Sequence, residues 1–294
     1  MERSHYDRLR RIPGFFTWIW YRPRSWKILK EKSDITISEG QQPQRLKITE
    51  DGVEFRSPID GKKVFIGPKE SIKIQEALGA DIINVFDECT SPIANFEYTK
   101  KSLATTHRWA KICLDTKKSD QAIFGIVQGG KFKDLRIESA KHLGSLEFNG
   151  FGIGGEFGDN KNAMPEMLSW VIPNLPEEKP RHLLGIGHPE DFLPIIKSGV
   201  DTFDCIAPTH YARRGVVFTS TGRINMRKLD MLKDNNPLDK KCPCFVCRQY
   251  KRSYLAHLLK AHEITPLTLL SFHNLYFFQQ AIKKIRRDIL DGKI

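Results

Sequence analysis

The sequence predicts an α/β protein in which each strand of a parallel sheet is followed by a helix, joined to a smaller metal-stapled module near the C-terminus. Three observations carry this. From about Lys47 onward, short apolar runs alternate with longer amphipathic stretches. Acidic, amide and glycine residues gather just after the apolar runs. Three cysteines, Cys242, Cys244 and Cys247, crowd into six positions.

The predicted strands, in order, are residues 64–66, 82–86, 122–127, 151–153, 182–186 and 202–206, each a buried run closed by polar or glycine residues. Between them, residues 69–78, 98–117, 131–146, 163–172 and 189–198 repeat their apolar positions at helical spacing. Asp87 and Glu88, Gln128 to Gly130, Gly154 and Gly155, Gly185 to His188, and Asp204 all follow strands. Strand C-termini are where a (βα)8 barrel builds its active site, and a doubly wound sheet does likewise, so this pattern alone does not choose between them. After Gly215 the register changes to a hairpin-like segment at 216–224, a charged loop, the cysteines, and helical stretches at 248–261 and 266–287. The implied organisation is an atypical segment over residues 1–45, a catalytic domain over 46–225 and a metal-binding subdomain over 226–294.

With 294 residues, 40% hydrophobic and 28% charged, the chain can bury a sizeable core and is neither disordered nor of low complexity. The net charge of +12 favours polyanionic partners, nucleic acid first, because Lys and Arg that neutralise phosphates release condensed counterions. Six unevenly placed cysteines are too few for a disulfide framework and imply a reducing compartment. The apolar stretch from Phe15 to Tyr21 is too short to span a bilayer. A cytoplasmic protein without membrane contact is expected.

Thiolates at the spacing of Cys242, Cys244 and Cys247 can converge on one tetrahedral Zn²⁺, and His257, His262 or His273 could complete it. A site closed by four protein ligands has no open position, so such a zinc is structural. The second constellation is FDEC (86–89), VQGG (127–130), GIGG (152–155) and FDC (203–205). Asp and Gln side chains at adjacent strand ends can read donors and acceptors on a purine edge, and glycines let backbone groups approach closely. A zinc-dependent RNA-binding module without a base pocket would explain the cysteines but not these strand ends.

In order, FRSPIDG, ALGADIINVFDECTSP, GIVQGGKFKDLRIESAKHL, GIGG, HLLGIGHPEDF, GVDTFDCIAPTHYARRG, GRIN and CPCFVCRQYKRSYLAHLLKAHEI with a later HNLYF resemble the queuine tRNA-ribosyltransferase family over more than three quarters of the chain. The resemblance implies a (βα)8 TIM barrel with a zinc-binding subdomain. It also implies exchange of guanine at tRNA wobble position 34 for a 7-deazaguanine, preQ1 or queuine, through a covalent bond between an Asp and the ribose. Carried over by motif, Asp204 is the nucleophile, and Asp87, Gln128 and Gly155 bind the guanine or 7-deazaguanine base. Gly185, Ile186, Gly187, His188, Pro189, Glu190 and Asp191, with Thr209, His210, Tyr211, Ala212 and Arg213, contact tRNA. Cys242, Cys244, Cys247 and, by the HN motif, His273 ligate zinc. The resemblance leaves a homodimer or heterodimer open.

The sequence departs from the family at four places. Glu156 and Phe157 replace an apolar residue after Gly155, and His210 stands where Arg is usual. The Asp-Ser-Gly-Gly segment that supplies the family's general acid/base is absent, so the barrel is expected to lack its first strands. Asp34 lies near the expected distance before Asp87 but without the glycines. Residues 1–26 hold three of the five Trp and show no periodicity. Degenerate codons for DRLRRIPGFFTW (7–18) permit TDSGGFQVFSL in the next frame, which makes this segment an expected out-of-frame translation. The alternative to an active transferase is a catalytically silent relative that binds tRNA or serves as an accessory subunit.

Overall fold

The computed structural model describes residues 46–57, 59–154 and 163–294. The expectations for residues 1–45, Asp34 and the displaced frame among them, and for Gly155, Glu156 and Phe157 lie outside the described residues. The chain divides into two compact units, Met1–Phe151 with Gly155–Lys161, and Gly152–Gly154 with Asn162–Ile294.

The first unit opens with β1 (Leu46–Ile48), β2 (Val53–Arg56) and β3 (Lys63–Ile66), an antiparallel sheet in the order β1-β2-β3. Residues 64–66 were expected to be a buried strand of the parallel sheet, and they are not. They pair with β2 across a turn in which Ser57 N–H donates to Lys62 O and Gly61 sits at φ 72°. Their exposure alternates, with Phe65 44% exposed, so the strand is half-solvated. Three apolar residues are too few to show whether one face or both will be covered.

The βα register then runs α1 (Pro68–Leu78), β4 (Ile82–Asn84), α2 (Phe96–Thr116), β5 (Ala122–Val127), α3 (Lys133–Gly144) and β6 (Gly150–Ile153). Pro68 pre-sets the first turn of α1, and Glu70 accepts from the Gly67 N–H. At α2 the Asn95 side chain accepts from the Tyr98 N–H. The inward face of α2 carries Leu103, Trp109 and Ala110, but also Thr99, Ser102 and Thr106. Trp109 is 0% exposed and donates through its indole to the Glu50 carbonyl at 2.7 Å. A buried Trp of this kind contributes about 3–5 kcal/mol against Ala.

The second unit contains α4 (Ala163–Val171), β7 (Arg181–Leu183), α5 (Phe192–Lys197), β8 (Thr202–Phe203), α6 (Ala207–Arg213), and a hairpin of β9 (Val216–Thr219) and β10 (Gly222–Asn225). It ends with α7 (Phe245–Gln249), α8 (Arg252–Lys260) and α9 (Thr265–Leu290). The expected single helix at 248–261 is broken at Tyr250 and Lys251, which are extended. The loop at 234–236 takes the donors there, Arg252 N–H going to Asn236 O and Ser253 N–H to Asp234 O.

The five-stranded sheet has the order β4-β5-β6-β7-β8, with β4–β5 and β7–β8 parallel. That order follows the chain without the reversal that defines a doubly wound sheet, so the architecture is the barrel type. No helix among the described residues is long and apolar enough to cross a membrane.

Candidate active site and metal centre

Asp87 follows β4 in a loop that α2 holds by its polar inward face. Thr106 Oγ1 accepts from the Glu88 N–H at 3.0 Å, and Ser102 Oγ donates to the Glu88 carbonyl. Tyr98 OH donates to Glu88 Oε1 at 2.6 Å. Gln128 follows β5, and its Nε2 donates to Asp87 Oδ2 at 2.7 Å, which joins two of the expected base-binding residues. Gln128 Oε1 is buried and has no hydrogen-bond partner among the described residues. Burial pushes the Asp87 carboxyl up to about 6; the bond from Gln128 opposes this, and the neighbouring Glu88 adds to it. A carboxylate beside an amide that has one Nε2 hydrogen still to donate suits a planar ligand that pairs N–H donors with a carbonyl acceptor.

The turn that carries Gln128 is built from glycine for a stated reason. Gly129 sits at φ 134°, and a Cβ there would come within 2.8 Å of the Arg136 backbone nitrogen. Arg136 itself, on α3, is buried and donates to Gly130 O and Val127 O at 2.8 and 3.3 Å. Ser139 Oγ accepts from the Gln128 N–H at 3.2 Å. Sequence reasoning missed both residues, although the DLRIES stretch puts an Arg and a Ser three apart on one helix face.

Asp204 follows β8 in the second unit. Its Oδ1 accepts from the Gly185 N–H at 2.8 Å and lies 3.2 Å from His182 Nε2. The opposite ring nitrogen of His182 is 2.8 Å from Thr202 Oγ1, its register partner across β7 and β8. Gly185 takes φ 72°, a conformation that presents its N–H and that side-chain-bearing residues rarely adopt. Burial pushes the Asp204 carboxyl up, but the His182 and Gly185 bonds outweigh it and hold it below the ordinary carboxylate range. The side chain stays 58% exposed. Asp204 is thus an anion presented to solvent, the state a nucleophilic carboxylate requires. His182 was not singled out in the sequence; the available signal was a His at the start of the apolar run 182–186, the strand before the one that leads into Asp204.

The expected RNA-contact segments flank this site. His188 N–H donates to Asp191 Oδ2 and Asp191 N–H to His188 O, closing a turn that leads into α5. Ile186, His188, Pro189, Thr209, His210 and Tyr211 are partly exposed and Glu190 and Arg213 exposed, whereas Gly187 and Ala212 are buried. Tyr211 stacks edge-on with His188 and His210, and Arg223 lies over its ring at 5.7 Å.

Cys242, Cys244, Cys247 and His273 bring their ligand atoms within 4.8 Å of one another. His273 Nδ1 stands 3.8, 3.5 and 3.3 Å from the three sulfurs in that order. Tetrahedral zinc with these ligands has an N to S edge of about 3.6 Å, so the residues fit the ion. His273 Nε2 donates to the Phe218 carbonyl at 2.9 Å, which leaves Nδ1 free to ligate. His257 and His262 are exposed and lie outside the cluster, so the open choice among three histidines falls to His273. The next residue, Asn274, is fully buried and bonds Phe218 N–H, Pro208 O and Val216 O. One pair on α9 therefore ties the cysteine cluster, the hairpin and α6 together.

The family model described as queuine tRNA-ribosyltransferase matches residues 26–294. Queuine tRNA-ribosyltransferases of Natranaerobius thermophilus and Caldanaerobacter subterraneus are each 47% identical, over 83% and 84% of this chain and 67% of their own lengths. That of Bacillus subtilis is 42% identical over 84% of the chain and 66% of its own length. The chain spans about two thirds of the length of the curated relatives it matches.

Proposed function

The chain belongs to the queuine tRNA-ribosyltransferase family, and from that premise we propose that it exchanges guanine at tRNA wobble position 34 for a 7-deazaguanine such as preQ1 or queuine. Asp204 attacks the ribose C1′, the C1′–N9 bond breaks with its electron pair leaving on guanine, and an ester joins Asp204 to the RNA. The N9 of the incoming base, once deprotonated, attacks C1′ and expels the carboxylate. Two inversions give net retention, as in retaining glycoside hydrolysis. Asp87 accepts from the base N1 and N2 hydrogens, and Gln128 donates to O6, as base readout requires once the nucleotide is flipped out of its stack.

The observation that carries this reading is the exposed, hydrogen-bonded Asp204 anion at the end of β8. Gly155 is the expected third base contact, and residues 185–191 and 209–213 are the proposed tRNA contacts, with Arg213 suited to phosphate. The Cys3His cluster holds a structural zinc, whose charge would keep three crowded sulfurs as thiolates and lock the hairpin to α9. The family's Asp-Ser-Gly-Gly acid is absent from the sequence, and on the out-of-frame reading of residues 1–26 the Asp of the restored segment transfers the proton to the leaving base.

The test is a denaturing gel of protein with guanine-34 tRNA, run on the chain and on a frame-restored version. A covalent adduct in the restored protein that disappears in Asp204→Asn supports the reading. An adduct that persists in Asp204→Asn sinks it.

A further inference from the structure

We propose that Arg136 is a positioning residue for base selection, its guanidinium clamping both ends of the turn that carries Gln128. This rests on the reading of Asp87 and Gln128 as base contacts. Arg136 is 0% exposed and projects from the first turns of α3. Its Nε donates to Gly130 O at 2.8 Å and its Nη1 to Val127 O at 3.3 Å, so one planar fork bridges the carbonyls on either side of Gln128 and Gly129. A Lys ammonium is a point charge and cannot hold both in a fixed relation.

The remaining contacts of the turn are made by the same helix. Ser139 Oγ takes the Gln128 N–H, and the Gly129 backbone lies so close to α3 that a Cβ would meet Leu135 C and Arg136 N at 2.9 and 2.8 Å. The backbone of residues 127–130 is thus fixed at three points, while the Gln128 amide gives one Nε2 hydrogen to Asp87 and keeps the other for a base O6. Such an arrangement fixes the side chain's origin and leaves its hydrogen-bonding edge for a ligand.

Burial draws the Arg136 guanidinium down to about 10, and it remains charged at neutral pH. An apolar side chain would fill the same space without the desolvation cost of a buried cation. The charged fork is therefore suited to a geometric task that packing alone does not perform. A base contact displaced by about 1 Å loses most of its directional hydrogen bonding.

The experiment compares the full wild-type chain with Arg136→Lys and Ser139→Ala. Equilibrium dialysis measures binding of guanine, of 6-thioguanine, which keeps the N1 and N2 hydrogens but offers sulfur for O6, and of hypoxanthine, which lacks the N2 amine. Zinc content and tRNA affinity are measured in the same preparations. Arg136→Lys is expected to bind guanine about tenfold more weakly and to lose most of its preference over 6-thioguanine, the contact that Gln128 makes. Its preference over hypoxanthine, which depends on Asp87, its zinc and its tRNA affinity should stay within about twofold. Ser139→Ala, a smaller change, should show the same pattern at about threefold, and decides the matter if Arg136→Lys does not fold. Unchanged guanine binding, or equal losses in both preferences and in tRNA affinity, overturns the clamp. If the wild-type chain binds zinc and tRNA but no guanine, the base-pocket reading falls and takes the clamp with it.

Discussion

His182 Nε2 stands 3.2 Å from Asp204 Oδ1, held there by Thr202 on the adjoining strand. The pairing follows from register: residues 182 and 202 are opposite one another in β7 and β8, and Asp204 lies two positions further along the same strand end. A folded-state pKa below the ordinary value means that Asp204 keeps its charge to lower pH than a free carboxyl does. In a frame-restored protein, His182→Ala should move the acid limb of adduct formation to higher pH and slow it about tenfold at neutral pH. A pH-rate profile of tRNA adduct formation on denaturing gels measures this, and an unmoved acid limb would show that Gly185 suffices.

Asp87 titrates in the opposite sense. With its carboxyl at about 6, the folded protein holds a proton there that the unfolded chain has already lost. That group's contribution to stability is present at low pH and is lost as pH rises from the ordinary carboxylate value through 6. Guanine binding runs the other way, since only the carboxylate accepts both the N1 and N2 hydrogens. Guanine affinity should rise by about tenfold between pH 5 and 7 and level off above. Asp87→Asn should bind weakly and show no such rise. Dialysis across that range tests both, and a flat wild-type profile would remove Asp87 from the site.

The same residues show what a sequence can and cannot disclose. The strand-end positions of Asp87, Gln128 and Asp204 were legible because an apolar run announces its own end. The cysteines were legible from spacing alone, but the fourth ligand was not, because His257, His262 and His273 all lie at workable distances along the chain and only folding buries one. Strand 64–66 was assigned to the wrong sheet because its partner is chosen by the turn at Gly61. His182 and Arg136 escaped notice for a common reason: each acts through a neighbour brought close by the fold, which local periodicity does not encode.

Zinc and the buried amide next to its ligand should separate cleanly. Cys244→Ala removes a ligand at the N-terminus of α7, and should lose the metal and with it much of the folding free energy of the C-terminal helices. Asn274→Ala leaves all four ligands in place but orphans Phe218 N–H, Pro208 O and Val216 O. It should keep full zinc content and lose about 3 kcal/mol of stability. Metal analysis alongside denaturant melts reads both, and full zinc in Cys244→Ala would contradict the assigned site.

His210 offers a gain rather than a loss. It sits on α6, where the family usually has Arg, and its ring meets the Arg214 guanidinium. Burial, then Arg214, Arg213 and His188, lower its pKa, so it is neutral at pH 7 and adds nothing to phosphate binding there. His210→Arg installs a permanent charge on a surface already carrying Arg213 and Arg214. The expected result is tighter tRNA binding at low salt, with the slope of log affinity against log salt steeper by about 0.7 to 0.9, one phosphate contact's share. Wild-type affinity should climb as pH falls below the ordinary imidazole range and His210 charges, while the Arg variant stays level there. Filter binding at several salt concentrations and at pH 5.5 and 7.5 decides it: identical slopes would place His210 away from the RNA backbone.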